Sequence, residues 1–471
     1  MKTFQDLMKQ TSEVALASFV REAVKEFQKT PKYLQAKAGE AYYNSHNLSI
    51  ENYQKTITTL SGRKTADIYS ANYQLKTLFF RRLVIQQVQY VLGNGLTLKK
   101  KSNKEKLGKD FDFKLQECAK HAMAEGTAFG FWNLDHLEVF GFADTNAQAG
   151  FCPLYDEKSG KLRAGIRFWF RYVEDKEIFR GTLYEEDGYT EFVAEDKEAK
   201  ILEAKRSYKK IQKKDIEGNV ESELDENYGM LPIVPMYAND MHESELNGIR
   251  ECIDAYDFVK SGLANNIDDS SDIYWVLKNT GGMDDIDVAQ FLQRLRTVHG
   301  AVIDGDQGAD AEAHTIEIPV EARKTMLEIL RQDIYEDFQA LDVHTLSASA
   351  KTTQEIQASY QAQDNKCADF EYYMLDFVMN ILQLAGINDD PKFVWNRVVN
   401  QTEQTNMLLS ASQYLTDEAI IKHLPFLTPE EADQILKERD QEDYDRFNED
   451  EEAKFEGGEA EEEAEKNKED K

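Results

Sequence analysis

Apolar residues recur every three to four positions over three long stretches in the second half of the chain, the spacing of an amphipathic helix. Ile249, Cys252, Ile253, Tyr256, Val259, Leu263 and Ile267 predict a helix over residues 243–272. Leu327, Leu330, Ile334, Phe338 and Leu341 predict a second over 320–342, opened by Pro319 and Glu321. Proline is tolerated in a first helical turn and an acid is favoured at its positive end. Ile356, Tyr360, Phe370, Met374, Phe377, Ile381 and Leu384 predict a third over 354–386, with Thr352-Thr-Gln-Glu355 as a capping box. Between the first two lies an insert, residues 273–318, with strand-like runs at 273–277, 301–303 and 315–318 and a short helix over 285–297. Between the last two lies a loop of small and polar residues, 343–353.

The first half alternates differently. Residues 4–45 read as helical, with Leu7, Val14, Leu16, Phe19, Val20, Ala23 and Phe27 on one face and a break at Thr30-Pro31-Lys32. A strong amphipathic helix is predicted over 67–92 through Ile68, Leu75, Leu78, Phe79, Leu83, Val84, Val88 and Val91, stopped by Gly93-Asn94-Gly95. Another is predicted over 112–126. Residues 127–205 are rich in aromatic and β-branched residues with turn signals at 156–160 and 186–188, which predicts an antiparallel meander with Trp132 and Trp169 in its core. A polar hairpin over 206–230 leads into Leu231-Pro-Ile-Val-Pro-Met-Tyr-Ala-Asn-Asp240, extended because of its two prolines. Residues 393–395 read as a strand. Residues 402–439 read as helical, with a second capping box at Thr428-Pro-Glu-Glu431. The fold class is α+β and helix-rich.

Charge narrows the function classes. The 471 residues carry a formal charge of −31, which repels nucleic acid at long range and argues against sequence-specific DNA binding. About a third of that excess lies in residues 440–471, where sixteen acids face five bases; the composition is that of a disordered acidic tail. Lys99, Lys100, Lys101, Lys104, Lys106 and Lys109 form a local basic contrast. It reads either as a solvated loop or as a contact for phosphate or an acidic neighbouring subunit.

The four cysteines, Cys118, Cys152, Cys252 and Cys367, form no CxxC pair and read as small buried hydrophobes in a reducing compartment. No apolar run approaches the roughly 18 residues of a membrane span, and the N-terminus lacks the apolar run of a signal peptide. The eight histidines offer no HExxH or metal-binding pair, and no phosphate loop, GxGxxG or GxSxG motif occurs. Asp268-Asp269, Asp284-Asp285 and Asp389-Asp390 are acid pairs of the kind that so acidic a chain contains by chance, and residues 304–310 lack the spacing of a calcium loop. No catalytic residue, metal site or cofactor is expected.

The order of short motifs carries a resemblance. The extended 231–240 segment leads into Asn247-Gly-Ile-Arg-Glu-Cys-Ile-Asp254, Ala255-Tyr-Asp-Phe-Val-Lys-Ser261 and Ala264-Asn-Asn-Ile-Asp-Asp269. With Tyr90-Val-Leu-Gly-Asn-Gly-Leu-Thr-Leu98, Ala124-Glu-Gly-Thr-Ala-Phe-Gly130 and Phe393-Val-Trp-Asn-Arg-Val-Val-Asn400, this resembles the portal proteins of tailed double-stranded DNA phages, the siphophage group in particular, over residues 40–440. The resemblance implies a ring, typically of twelve subunits with thirteen also possible when isolated, at one capsid vertex, assembled in the host cytoplasm, through which DNA is packaged and ejected. It implies a wing over 1–240, stem helices over 241–272 and 319–342, and a clip over 273–318. A tunnel loop would follow over 343–353, a long wing helix and return strand over 354–401, a crown over 402–440 and the tail over 441–471. His344, Thr345, Leu346, Ser347, Ala348, Ser349 and Lys351 would then face DNA. Trp275, Asp284, Asp285, Arg294 and Arg296 would belong to the clip that docks partners. Those partners would be the terminase large subunit, head-completion or adaptor proteins, and the major capsid and scaffolding proteins.

The residues agree with a conduit in one respect. Eight acids face two bases in 243–272 and six face three in 320–342, so the walls would not hold DNA, while Lys351 would give sparse phosphate contacts. Two other classes compete. A non-viral cytosolic adaptor binding proteins through its acidic tail predicts monomers or dimers. A nuclease- or nucleotidyltransferase-type enzyme predicts magnesium-dependent activity lost on changing one acid pair.

Overall fold

The computed structural model describes residues 2–58, 62–67, 71–144, 148–173, 176–195, 198–214, 220–269, 274–278, 286, 310–314, 319–343, 353–396, 405, 408–424, 427, 431–439 and 441. The chain divides into two compact units, Met1–Asn396 and Arg397–Lys471.

The first unit opens with helices α1 (Phe4–Met8), α2 (Glu13–Phe27), α3 (Pro31–Tyr43) and α4 (Leu48–Glu51). Ser12 caps α2 by accepting from the Ala15 N–H, and Thr30 caps α3 with Pro31 in its first turn. A small hairpin, β1 (Thr56–Thr58) and β2 (Lys64–Ala66), precedes α5 (Phe79–Leu92), β3 (Leu96–Thr97), α6 (Lys101–Glu105) and α7 (Phe111–Glu125). The strands β4 (Thr127–Asn133), β5 (His136–Gly141), β6 (Ala143–Asp144), β7 (Ala149–Tyr155), β8 (Leu162–Val173), β9 (Lys176–Glu185), β10 (Gly188–Glu195) and β11 (Glu198–Arg206) follow. Then come β12 (Lys209–Lys214), β13 (Val220–Glu226) and β14 (Ile233–Tyr237). The unit continues with α8 (Arg250–Asp269), β15 (Tyr274–Lys278), β16 (Asp310–His314), α9 (Val320–Phe338), α10 (Thr353–Leu384) and β17 (Lys392–Phe393). In the second unit, α11 (Asp417–Lys422) is capped by Thr416, and residues 431–439 are helical. The capping box expected at 428–431 falls largely outside the described residues.

Strands β6 to β11 form one antiparallel sheet in chain order, whereas β4 and β5, the first two strands of the expected meander, pair with each other and with β14 in a second sheet. β4 is buried on both faces. Its Ala128 and Trp132 join a helical core built on α5, α7 and α10, whereas Phe129 and Phe131 join a second core between the large sheet and α1–α3. The N-terminal helices are therefore part of the sheet's own core. Trp169 departs from expectation: it is half-exposed, because Ile166 and Phe168 take the buried positions of β8.

Two boundaries also differ. Residues 71–78 are not helical, and α5 starts only at Phe79. Behind it Gly95 takes the left-handed conformation, within the expected stop at 93–95. Residues 245–249 form turns, so α8 begins seven residues later than expected. In the insert β15 pairs with Asp310–His314, Tyr274 opposite His314 and Lys278 opposite Asp310. The expected runs at 301–303 and 315–318 lie outside the described residues, as does all of 285–297 except Ile286.

The crossing of α3 and α7 is close enough to require glycine. A Cβ at Gly39 would sit 1.7 Å from the backbone oxygen of Ala124, and backbone cannot rotate away. Gly39→Ala should therefore destabilise the protein by about 1–3 kcal/mol or more, read as a lowered midpoint in urea or thermal unfolding.

Candidate functional site

The region of interest is the loop after Leu341 and the helices that frame it. α8 is held in an unexpected way. Beyond Ile253 its fully buried side chains are polar: Asp257, Ser261 and Asn265 are 0%, 3% and 4% exposed. Leu263 is only half-buried and Ile267 is 55% exposed, although the apolar period places both on the inner face. The reason is the segment 71–77, outside any helix, which lies along α8. The Tyr73 N–H donates to Asn265 Oδ1 at 2.6 Å and the Leu75 N–H donates to Ser261 Oγ at 2.9 Å. Asn47 Nδ2 donates to both the Thr77 carbonyl and Asp257.

Two extended residues advance about 6.6 Å and four helical residues about 6 Å. The rungs 73–265, 75–261 and 77–257 therefore stay in step. An extended segment without a sheet partner must find acceptors for its amides, and this polar stripe supplies them. Asp254 continues the stripe, accepting from Tyr42 and Ser49. The spacing 254, 257, 261, 265 was visible as a helical period of polar residues, but it was masked by the stronger apolar one.

α9 buries Leu330, Ile334 and Phe338 as expected. It ends where Gln339 turns left-handed, with φ 58°. Three side chains then fix the root of the loop. Lys366 Nζ, from α10, donates to the Phe338 carbonyl at 2.9 Å and lies 3.7 Å from the centre of the Phe338 ring. It also pairs with Glu245 at 2.6 Å. Gln86 Nε2 donates to the Leu341 carbonyl at 2.9 Å, and Arg331 bonds Asp342 at 2.6 Å. Val343 follows, exposed.

His344, Thr345, Leu346, Ser347, Ala348, Ser349 and Lys351 lie outside the described residues, as do Asp284, Asp285, Arg294 and Arg296. Of Trp275 the backbone is described, paired with Ala313 in the hairpin between α8 and α9.

The lysine contrast at 99–109 is partly spent within the chain. Lys99 pairs with Asp390, and Lys104 with Asp112 at 2.6 Å. Asp389 accepts from the N–H groups of Lys99 and Lys100 and from Asn103 Nδ2, so the 389–390 acid pair is a structural cap. Among the described residues no group of three or more His, Cys, Asp or Glu side chains could hold a metal ion. Nor is any described helix long and apolar enough to cross a membrane. Burial pushes the thiols of Cys118 and Cys152 up, away from the reactive thiolate.

One ionisable pair, a fully buried Glu125 with a His121 whose side chain is 35% exposed, lies away from the loop. Glu125, at the end of α7, accepts from His121 Nδ1 at 2.7 Å and from the Ala143 N–H at 2.9 Å. Burial lifts Glu125 and by itself would depress His121, but the hydrogen bond and charge of Glu125 outweigh it and hold the ring above its ordinary value.

The profile of the family described as phage portal protein, SPP1 Gp6-like, matches residues 24–445. The chain belongs to this family. The portal protein of Clostridium phage phiCD119 is 25% identical over 452 residues, covering 88% of this chain and 96% of that protein. The portal protein of Bacillus phage SPP1 is 23% identical over 316 residues, covering 64% of this chain and 60% of that protein. Portal proteins are structural components of phage capsids that assemble as oligomeric rings, and the α+β architecture found here fits their fold.

Two outcomes follow. Ser261→Ala and Asn265→Ala should each cost about 1–2 kcal/mol and should speed hydrogen exchange at the amides of Leu75 and Tyr73 respectively, measured by NMR or mass spectrometry. His121, raised in the fold, stabilises fully below its unfolded value of about 6.5 and loses that contribution as pH rises through its folded value. The raised Glu125 has the same sign. The advantage in melting temperature of the wild type over His121→Gln should therefore shrink as pH is raised from about 6 to about 9.

Proposed function

We propose that the chain is the portal of a tailed double-stranded DNA phage: a ring, of twelve subunits in the particle, that conducts DNA into and out of the head. The observation that carries this reading is the frame. Two long helices joined by a hairpin insert lead into a loop whose root is fixed by three separate side-chain contacts, in a chain of the portal family. α8 and α9 would be the stem, β15–β16 part of the clip, and residues 343–353 the tunnel loop. Residues 1–240 would be the wing and residues 402–440, within the second unit, the crown. The clip would dock the terminase motor during packaging and the head-completion proteins afterwards. Capsid and scaffolding proteins would surround the wing, with assembly in the host cytoplasm. Packaging energy would come from the motor.

Two features of the stem support the ring. Phe258 and Ile267 on α8, and Val320, Met326 and Ile329 on α9, stay exposed in the single chain, as expected of helices that meet neighbours. The exposed face of α9 carries Glu321, Glu328, Glu336 and Asp337 against Lys324, and an acidic wall keeps phosphate backbone from adhering.

Electron microscopy of the purified chain, and of the chain co-expressed with its capsid and scaffolding proteins, tests the reading. Rings with an axial hole are expected. A chain that stays monomeric or dimeric under both conditions overturns it and favours an adaptor.

A further inference from the structure

The contacts around Lys366 form a continuous route from the sheet region to the root of the loop. It starts in the turn between β14 and α8, where Asn239 Nδ2 donates to Glu245 Oε1 at 2.9 Å. The Glu245 N–H donates to the Met123 carbonyl of α7 at 3.0 Å. Glu245 Oε2 lies 2.6 Å from Lys366 Nζ, and the two side chains are only 13% and 15% exposed. Water therefore screens this pair far less than a surface pair. From Lys366 the route ends on the Phe338 carbonyl, at 2.9 Å. That carbonyl belongs to the last turn of α9, the negative end of the helix, where a cation is favoured.

The other two contacts at the root are of a different kind. Arg331 and Asp342 lie eleven residues apart on α9 and its immediate continuation, so their bond moves with the helix. Gln86 ties Leu341 to α5 through a neutral hydrogen bond. Among these contacts Lys366 is the one that reaches across to the segment where the chain leaves the sheet.

We propose that Lys366 is a positioning residue that couples the wing to the loop, so that the direction in which the chain leaves α9 depends on where Glu245 sits. A shift of the 239–245 turn or of α10 is then passed to the loop through one largely desolvated charge. This rests on the portal reading for the statement that the loop faces DNA. The coupling itself does not depend on it.

A spin label on Val343→Cys in the full chain, with Cys252 changed to Ser, reports the loop's root directly. Lys366→Met and Glu245→Gln should both loosen the label, while Lys324→Met, at an exposed lysine of α9, should not. Glu245→Gln removes the charge and keeps the shape, so it decides the matter if Lys366→Met fails to fold. A label equally immobile in every variant that folds overturns the coupling. The second readout is DNA retained in assembled particles. Its loss in Glu245→Gln rings of normal appearance supports the link to DNA. A loosened label with full DNA content leaves the coupling standing and contradicts the DNA-facing assignment of the loop.

Discussion

A lysine drawn largely out of water must find partners for its charge, since removing an ammonium from water costs several kcal/mol. At Lys366 those partners are the parts of the molecule that frame the loop. The Phe338 carbonyl closes α9, the Phe338 ring lies against the ammonium, and Glu245 anchors the approach to α8. Three segments far apart in sequence are brought to one point by the need to satisfy one cation. The left-handed turn at Gln339 can release the chain in a defined direction because the carbonyl just before it is held.

α8 shows the same logic with opposite polarity. A helix in a soluble domain ordinarily buries its apolar stripe. Here the polar stripe is buried, because an extended segment laid across it brings backbone amides that need acceptors. Ile253 still reaches the core, but Phe258 and Ile267 are left in water in the single chain. Exposed large hydrophobics on both long helices are a cost for a monomer and an advantage for a subunit. On the portal reading, the isolated chain is thus the unfinished part of a larger object.

The acidity of the chain fits that object better than it fits an ordinary DNA-binding protein. A conduit is served by walls that phosphate does not adhere to, and specificity is of no use to it. The lysines that do cluster, at 99–109, are partly neutralised by Asp112, Asp389 and Asp390. Lys99 and Lys104 thereby hold the α6 region to its surroundings. The buried strand β4 ties this region to the sheet, since its two faces serve two different cores.

Local pattern determined most of the elements. The meander of β6–β11, α7 ending at Gly126, the helical N-terminus and the long helices α9 and α10 were all legible, because each has a period and punctuation of its own. The order of motifs led to the portal family in the same way. What the period could not determine was which face is inside. Leu75 and Leu78 continue the apolar rhythm of α5, yet residues 71–78 stay outside the helix, where Ser261 and Asn265, nearly two hundred residues away, bind the amides of Leu75 and Tyr73. Ile267 fits the apolar face of α8 and is exposed for the same reason. Lys366 reads as one polar residue in a long helix, and nothing local marks it as the contact for Glu245 and Phe338. Helical spacing is a property of neighbours in sequence. Burial of a hydrogen-bonding group is a property of whatever arrives from elsewhere, and that was decided by the tertiary structure.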